Sequence, residues 1–268
     1  MVSTRPVAAI TGASAGIGAE FARQLATRGY DLILIARRTD RLRQLAAELN
    51  TSAEIVTADL AQPADVDALA ARLASESRLT LLVNNAGFGT LGRFFEAAPA
   101  GQVDMHMVHV VANVKLIRAV LPSLMARNTG GIINVASVAG FMMSTGNVSY
   151  CATKRWMNAF TEGLYLELRT VGSAVKVQAL CPGYTYSEFH ETMGVARASI
   201  PAWAWLKAPD VVSESLRGLE RGQLFVIPNW KYRLAIGLLG LIPASLQRAL
   251  ASSAGEKYRA QHRGHANN

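Results

Sequence analysis

The sequence predicts an α/β fold, a doubly wound parallel sheet of about seven strands with helices on both faces. Three observations carry this. Short apolar, β-branched runs alternate almost without exception with longer segments of helical spacing, as in repeated β-α units. The runs are apolar throughout rather than alternately polar, which a sheet covered on both faces requires. Hydrophobic residues make up 50% of the 268-residue chain, and no linker or change of composition divides it, so a single domain over 1–268 is expected.

The first strand, "VAAIT" at 7–11, runs directly into "TGASAGIG" before helical spacing at 19–28. "DLILIA" (31–36) gives the second strand and 39–50 a helix, while "AEIVTA" (53–58) gives the third strand and 64–77 its helix. "TLLVNN" (80–85) precedes a long helical pattern at 102–127, and "GIINVAS" (131–137) precedes another at 150–171. "VKVQALC" (175–181) is the sixth strand, 210–221 a further helix and "LFVIP" (224–228) the last strand. The irregular stretch 184–207 is too long for an ordinary connection and suits a substrate lid.

The formal charge of +8 comes from dispersed Lys and Arg, aromatics are 7%, and no nucleic-acid-binding motif occurs, so nucleic acid is not an expected partner. An anionic small ligand, a membrane surface or a plain solvated surface would each account for the excess. Cys151 and Cys181 lie in patterned segments, so no disulfide scaffold is expected and a reducing, cytoplasmic location fits. The start "MVSTRPVAAITG" has no apolar leader region, and no apolar run reaches the ~18–20 residues of a membrane span. The nearest run, "LAIGLLGLI" at 234–242, ends at Pro243. The helical tail at 230–262 combines basic and apolar residues over 230–250, as a helix on a membrane interface or against a partner subunit does.

Gly12, Gly16 and Gly18 follow the first strand and open a helix, the arrangement that lets backbone N–H groups approach a dinucleotide pyrophosphate. The second strand ends in Arg37 and Arg38 with no acid at its tip, which favours NADP(H) over NAD(H), although Asp40 is near and two arginines also make an ordinary helix entrance. Tyr150 and Lys154 are i and i+4 on one helix face, where the ammonium can stabilise a phenolate whose free pKa of ~10 suits acid–base work poorly. Metal-ligand spacing is absent from the sequence, so no metal is expected.

"TGASAGIG", "NNAG" at 84–87, Ser137 ending "NVAS", "YCATK" at 150–154 and "CPG" at 181–183 follow one another in the order and spacing of the short-chain dehydrogenase/reductase family, which the chain resembles over nearly its whole length. The branch resembled is that of single-domain bacterial oxidoreductases, with a Rossmann-like fold. The resemblance implies Tyr150 as general acid/base, Lys154 lowering its pKa and holding the nicotinamide ribose, and Ser137 bonding the substrate oxygen. It assigns Gly12, Ser14, Gly16, Ile17 and Gly18 to the pyrophosphate loop, and Asp59 and Leu60 to the adenine. Asn85, Ala86 and Gly87 fall to the adenosine-side wall, and Pro182, Gly183 and Thr185 to the nicotinamide. Ala15 stands where many NADP-dependent relatives have a basic residue, leaving the 2′-phosphate to Arg37 and Arg38. A homodimer or homotetramer acting on a small carbonyl or alcohol is the implied assembly.

Tyr186, Phe189, Met193, Trp203 and Trp205 offer an apolar lining to the lid, which suits an apolar or lipid-like substrate and equally suits a lid packed on the body; His190 fits a solvated loop residue. Counting back from "LPSLM" puts the family's relay asparagine on His109, with Asn113 one turn later. A neutral imidazole can donate and accept, so His109 fits the proton relay or a packed core position, with Asn113 supporting it. The intact Ser137, Tyr150 and Lys154 favour an enzyme over a non-enzymatic NADPH-sensing module on the same fold.

Overall fold

The computed structural model describes residues 4–90, 92–188, 200–249 and 251. The strands are β1 (Val7–Thr11), β2 (Asp31–Ala36), β3 (Ala53–Thr57), β4 (Leu79–Asn84), β5 (Gly131–Val135), β6 (Lys176–Leu180) and β7 (Phe225–Val226). They form one seven-stranded, all-parallel sheet in the order β3-β2-β1-β4-β5-β6-β7. Every residue of β1, β2 and β5 is buried, which explains their uniformly apolar sequences. β7 is shorter than the apolar run 224–228, for Pro228 has no N–H to pair.

The helices are α1 (Gly16–Thr27), α2 (Thr39–Glu48), α3 (Pro63–Ala74), α4 (Pro99–Arg127), α5 (Val148–Thr170), α6 (Ala208–Glu220) and α7 (Trp230–Leu241). The strand period of two sorts the core into two layers. Ile33 and Ile35 pack on one face with Leu69 and Leu73 of α3, Leu116 and Val120 of α4, and Leu164 of α5. Leu32 and Leu34 pack on the other face with Phe21 and Leu25 of α1, Leu42 of α2 and Leu216 of α6. Removing any of these fully buried side chains costs about 2–5 kcal/mol, so the two layers fix the sheet edge on which the site is built.

α4 is one helix with a π-helical turn at Met107–Val111, where the Ala112 N–H reaches back five residues to the Met107 carbonyl. It ends on Asn128, whose left-handed φ of 48° an asparagine tolerates. Its length and composition would allow it to span a bilayer, but 50% of the apolar window is buried inside the domain, as expected of a core helix. α7 buries none of its residues and leaves Trp230, Leu234, Leu238 and Leu241 exposed. The expected lid is described at 184–188 and 200–207, where Thr185 pairs with Leu206; Phe189, His190 and Met193 lie outside the described residues, as do 252–262 of the tail.

Candidate active site

β1 is flanked by β2 and β4, so successive connections leave it in opposite directions and open a crevice at the carboxyl ends of the strands. The glycine-rich turn lies there. Gly12 and Gly16 have φ of 67° and 55°, which glycine adopts without strain. A Cβ on Gly18 would stand 2.3 Å from the Gly12 carbonyl oxygen, and one on Gly12 would stand 2.8 Å from the Ala86 Cα. The turn is therefore closed against the "NNAG" segment. Thr11 Oγ1 accepts from the N–H groups of Asn85 (2.9 Å) and Ala86 (3.0 Å), and Asn85 Nδ2 donates to the carbonyls of Thr11 (2.9 Å) and Gly12 (3.2 Å). Asn85 thus spends its side chain securing the turn. α1 starts at Gly16 with no side-chain cap, leaving its first N–H groups to an anionic ligand, while Ile17 packs on the core beneath. Tight glycine packing, an uncapped helix start and a nearby cationic cluster fit a dinucleotide.

The two arginines after β2 diverge. Arg37 Nη1 lies 3.8 Å from Asp59 Oδ2, whereas Arg38 donates to Ser14 Oγ (3.0 Å) and to Glu188 Oε2 (2.7 Å). Arg41, one turn into α2, meets the other Glu188 oxygen. These two arginines hold the Glu188 carboxyl below the usual carboxylate range. Asp40 turns aside to Arg43 (3.4 Å), so the acid nearest the strand end does not face the cluster. Asp59 accepts from the Ala61 N–H (3.0 Å), and Leu60 is buried in the core beside it.

Ser137, at the end of β5, accepts the Ala139 N–H (3.1 Å), which fixes its hydroxyl at the start of a short 3₁₀ turn, Val138–Phe141. The Ser137 hydroxyl hydrogen-bonds the Tyr150 phenol. Lys154 is buried, donates to the Val135 carbonyl (2.8 Å), and places Nζ 5.7 Å from the centre of the Tyr150 ring. The fold brings all three side chains together, and burial governs their titration. It pushes Tyr150 up to about 12 against the lowering effect of Ser137, and it pushes Lys154 down to about 7. The Tyr150 pKa is therefore raised, not lowered as expected from Lys154, because desolvation is its largest cause and Ser137 offsets it only in part. A neutral phenol beside a hydroxyl donor is a proton donor for an oxyanion forming on a bound carbonyl. Burial also raises the Cys181 thiol to about 12, so it offers no thiolate, and no metal-ligating cluster exists among the described residues.

His109 lies in the π-helical turn, wholly buried. Its Nε2 accepts the Phe88 N–H (3.3 Å), which leaves the proton on Nδ1 to donate to Thr153 Oγ1 (2.9 Å); Thr153 in turn donates to the Tyr150 carbonyl (3.1 Å). Burial, with Lys154 nearby, holds the imidazole well below its ordinary pKa and so neutral. Both ring nitrogens are engaged by the protein, tying "NNAG" to the helix of Tyr150. Gly87 serves this contact, since a Cβ there would come within 2.5 Å of Nε2. Asn113 donates from Nδ2 to the His109 carbonyl, supporting the same turn. On the opposite wall the Pro182 carbonyl accepts the Val138 N–H (3.1 Å). A Cβ on Gly183 would strike the Tyr232 ring, and Thr185 is buried with its hydroxyl on the Gly183 carbonyl (3.1 Å).

Arg41, Thr153, Ser187 and Glu188 escape the sequence reading. Ser187 lies over the glycine turn, its Cβ 2.9 Å from where a Gly16 Cβ would be. Glu188 follows the "CPG" motif without belonging to it, and only the Arg41 spacing from Arg38 hints at a shared face.

Residues 6–197 match the family model described as short chain dehydrogenase. An uncharacterized oxidoreductase of Staphylococcus epidermidis is 35% identical over 178 residues, covering 66% of this chain and 76% of that protein. A short-chain dehydrogenase from Sphingobium yanoikuyae, solved in complex with NADPH, superposes with a TM-score of 0.79 at 35% identity, covering 89% of this chain and 97% of that one. The bulky-bulky ketone specific alcohol dehydrogenase from Comamonas testosteroni gives 0.74 at 30% identity, covering 90% and 96%. With its seven-stranded parallel sheet, its glycine turn and this match over most of its length, the chain belongs to the short-chain dehydrogenase family of oxidoreductases.

Proposed function

We propose that the protein is an NADP(H)-dependent oxidoreductase that interconverts a carbonyl and a secondary alcohol on an apolar substrate. The observation that carries this reading is the convergence of Ser137, Tyr150 and buried Lys154 at the strand edge beside the glycine turn. A bound nicotinamide supplies or accepts the hydride. In the reducing direction the Ser137 hydroxyl donates a hydrogen bond to the substrate oxygen, and the Tyr150 phenol delivers the proton as negative charge develops there. Lys154 has donors beyond the one given to Val135 and would hold the nicotinamide ribose, and its ammonium would then bear on the phenolate left behind. The same groups run the oxidation in reverse.

The preference for the phosphorylated cofactor is supported by Arg38, Arg41 and Ser14, which gather beside the turn with no acid of their own helix facing them. Arg37 adds charge at the rim beside Asp59. An apolar substrate is supported by the side chains left exposed near the reacting groups: Met142 and Met143 after the Ser137 turn, Val148 before Tyr150, and Tyr184. The ketone preference of the Comamonas relative points the same way. Cys151 and Cys181 are both free and buried, which suits a reducing cytoplasm.

NADPH oxidation with aliphatic, aromatic and steroid ketones tests the proposal. At least one bulky apolar ketone should turn over, and Tyr150→Phe should lower kcat/KM by about 10²–10⁴-fold while still binding NADPH. Cofactor binding without turnover of any ketone or alcohol would instead make the protein a sensor.

A further inference from the structure

We propose that the Glu188 carboxylate is a built-in competitor for the cofactor's 2′-phosphate, holding Arg38 and Arg41 in the cofactor-free protein and giving way only to the phosphorylated cofactor. The inference rests on the NADP(H) reading above and adds to it Arg41 as a specificity-determining residue and Glu188 as its internal ligand.

The argument begins with charge and shape. Arg38 and Arg41 are three residues apart at the start of α2, so their guanidinium groups reach the same side of the helix. Each takes one oxygen of a single carboxylate, and Arg38 also reaches Ser14 of the glycine turn through both Nε (3.3 Å) and Nη2 (3.0 Å). Two guanidinium forks converging on one anion, one of them anchored on a serine hydroxyl, are a phosphate-binding set, and a phosphate brings more charge and one more acceptor oxygen than a carboxylate. Glu188 thus occupies an anion subsite that the chain itself builds.

That occupation is weak enough to be reversed. The Arg38, Arg41 and Glu188 side chains are 46%, 47% and 40% exposed, and half-exposed ion pairs contribute little. Position also matters. The segment ending in Glu188 crosses the glycine turn, with Ser187 packed on Gly16, and the two lie in one open groove of about 430 Å³ with Ser14 and Arg41. With Glu188 on the arginines, the 184–188 segment is held against the turn that a dinucleotide uses. A 2′-phosphate arriving at Arg38 and Arg41 must displace the carboxylate and so release this segment, which begins two residues after Pro182 of the nicotinamide wall. An unphosphorylated cofactor makes no such exchange. The apparent affinity for the phosphate is the intrinsic affinity multiplied by the fraction of molecules in which the arginines are free.

The test titrates adenosine 2′-phosphate into the full-length wild type, Glu188→Gln and Glu188→Ala by calorimetry at fixed salt, with adenosine 5′-phosphate in parallel. Both variants should bind adenosine 2′-phosphate about three- to tenfold more tightly than the wild type, while Kd for adenosine 5′-phosphate stays within about twofold, since the competing carboxylate is lost and the groove is otherwise kept. An unchanged or weakened Kd for adenosine 2′-phosphate in both variants, with clear binding to the wild type, would overturn the competition and leave the NADP(H) reading standing. A protein that binds adenosine 5′-phosphate but no variant of which binds adenosine 2′-phosphate would overturn both.

Discussion

At Tyr150 and Lys154 desolvation works against the charged form of each group, so the site keeps its proton on the phenol and holds the ammonium only loosely. For Lys154 this has a sign that stability measurements can read. Its folded pKa of about 7 lies below the ordinary lysine value of 10.5, so the unfolded chain binds the extra proton throughout that interval. The contribution to stability is complete above pH 10.5, is lost as pH falls toward 7, and changes no further below. Urea unfolding of wild type and Lys154→Met at pH 7, 8 and 9 should show the wild type gaining up to about 1.4 kcal/mol per pH unit relative to the variant. Parallel curves would mean that Lys154 stays charged in the folded protein. The raised pKa values of Cys181 and Tyr150 act with the opposite sign, but only above pH 9. The triad is legible in the sequence because local spacing carries it: i and i+4 on one helix for Tyr150 and Lys154, and a strand end for Ser137. The partnership of Arg41 with Glu188 is not, because 147 residues separate them and only the folded sheet brings the second wall of the crevice over α2.

α4 and the "NNAG" segment form a second unit, joined through one imidazole. The apolar pattern at 102–127 locates the helix, yet it carries no trace of the π-helical turn, because a wide apolar face tolerates one extra residue without losing phase. That turn is what directs His109 at both Phe88 and Thr153, a geometry that depends on a choice of backbone hydrogen bonds rather than on side-chain periodicity. The need for glycine at position 87 follows from it, since Gly87 is absent from the positive-φ glycines and only the ring leaves no room for a Cβ. Gly87→Ala should therefore cost about 1–3 kcal/mol in the wild type. In a His109→Asn background, where the shorter side chain vacates the space, the same change should cost less, with a coupling of about 1–2 kcal/mol. Chemical denaturation of the four proteins of this cycle measures the coupling; additive costs would show that another group, not the ring, excludes the side chain. His109→Asn alone should destabilise, because the buried Phe88 N–H and Thr153 hydroxyl lose well-placed partners.

For the whole molecule, alternating apolar runs and helical segments were enough to imply the sheet, and right-handed crossovers then limit the strand orders to a few, of which β3-β2-β1-β4-β5-β6-β7 is one. What sequence periodicity leaves open is how the overall charge of +8 is used, because that depends on which basic residues the fold collects. The fold brings Arg38 and Arg41 to the crevice mouth and leaves both about half-exposed, so their attraction for an anion is open to screening. Raising ionic strength from about 0.1 M to about 1 M shortens the Debye length from about 10 Å to about 3 Å. On the proposed reading the phosphorylated cofactor would carry its extra charge into this cluster, whereas the pyrophosphate common to both cofactors would be held by backbone N–H groups at the uncapped start of α1, where short hydrogen bonds resist salt better. Across that salt range Kd for NADPH should rise several-fold more than Kd for NADH, as followed by cofactor fluorescence. In Arg41→Gln the excess should shrink toward parallel behaviour. Two cofactors whose affinities fall together in the wild type would place the 2′-phosphate away from Arg38 and Arg41, and the net charge would then act on both alike as a diffuse field.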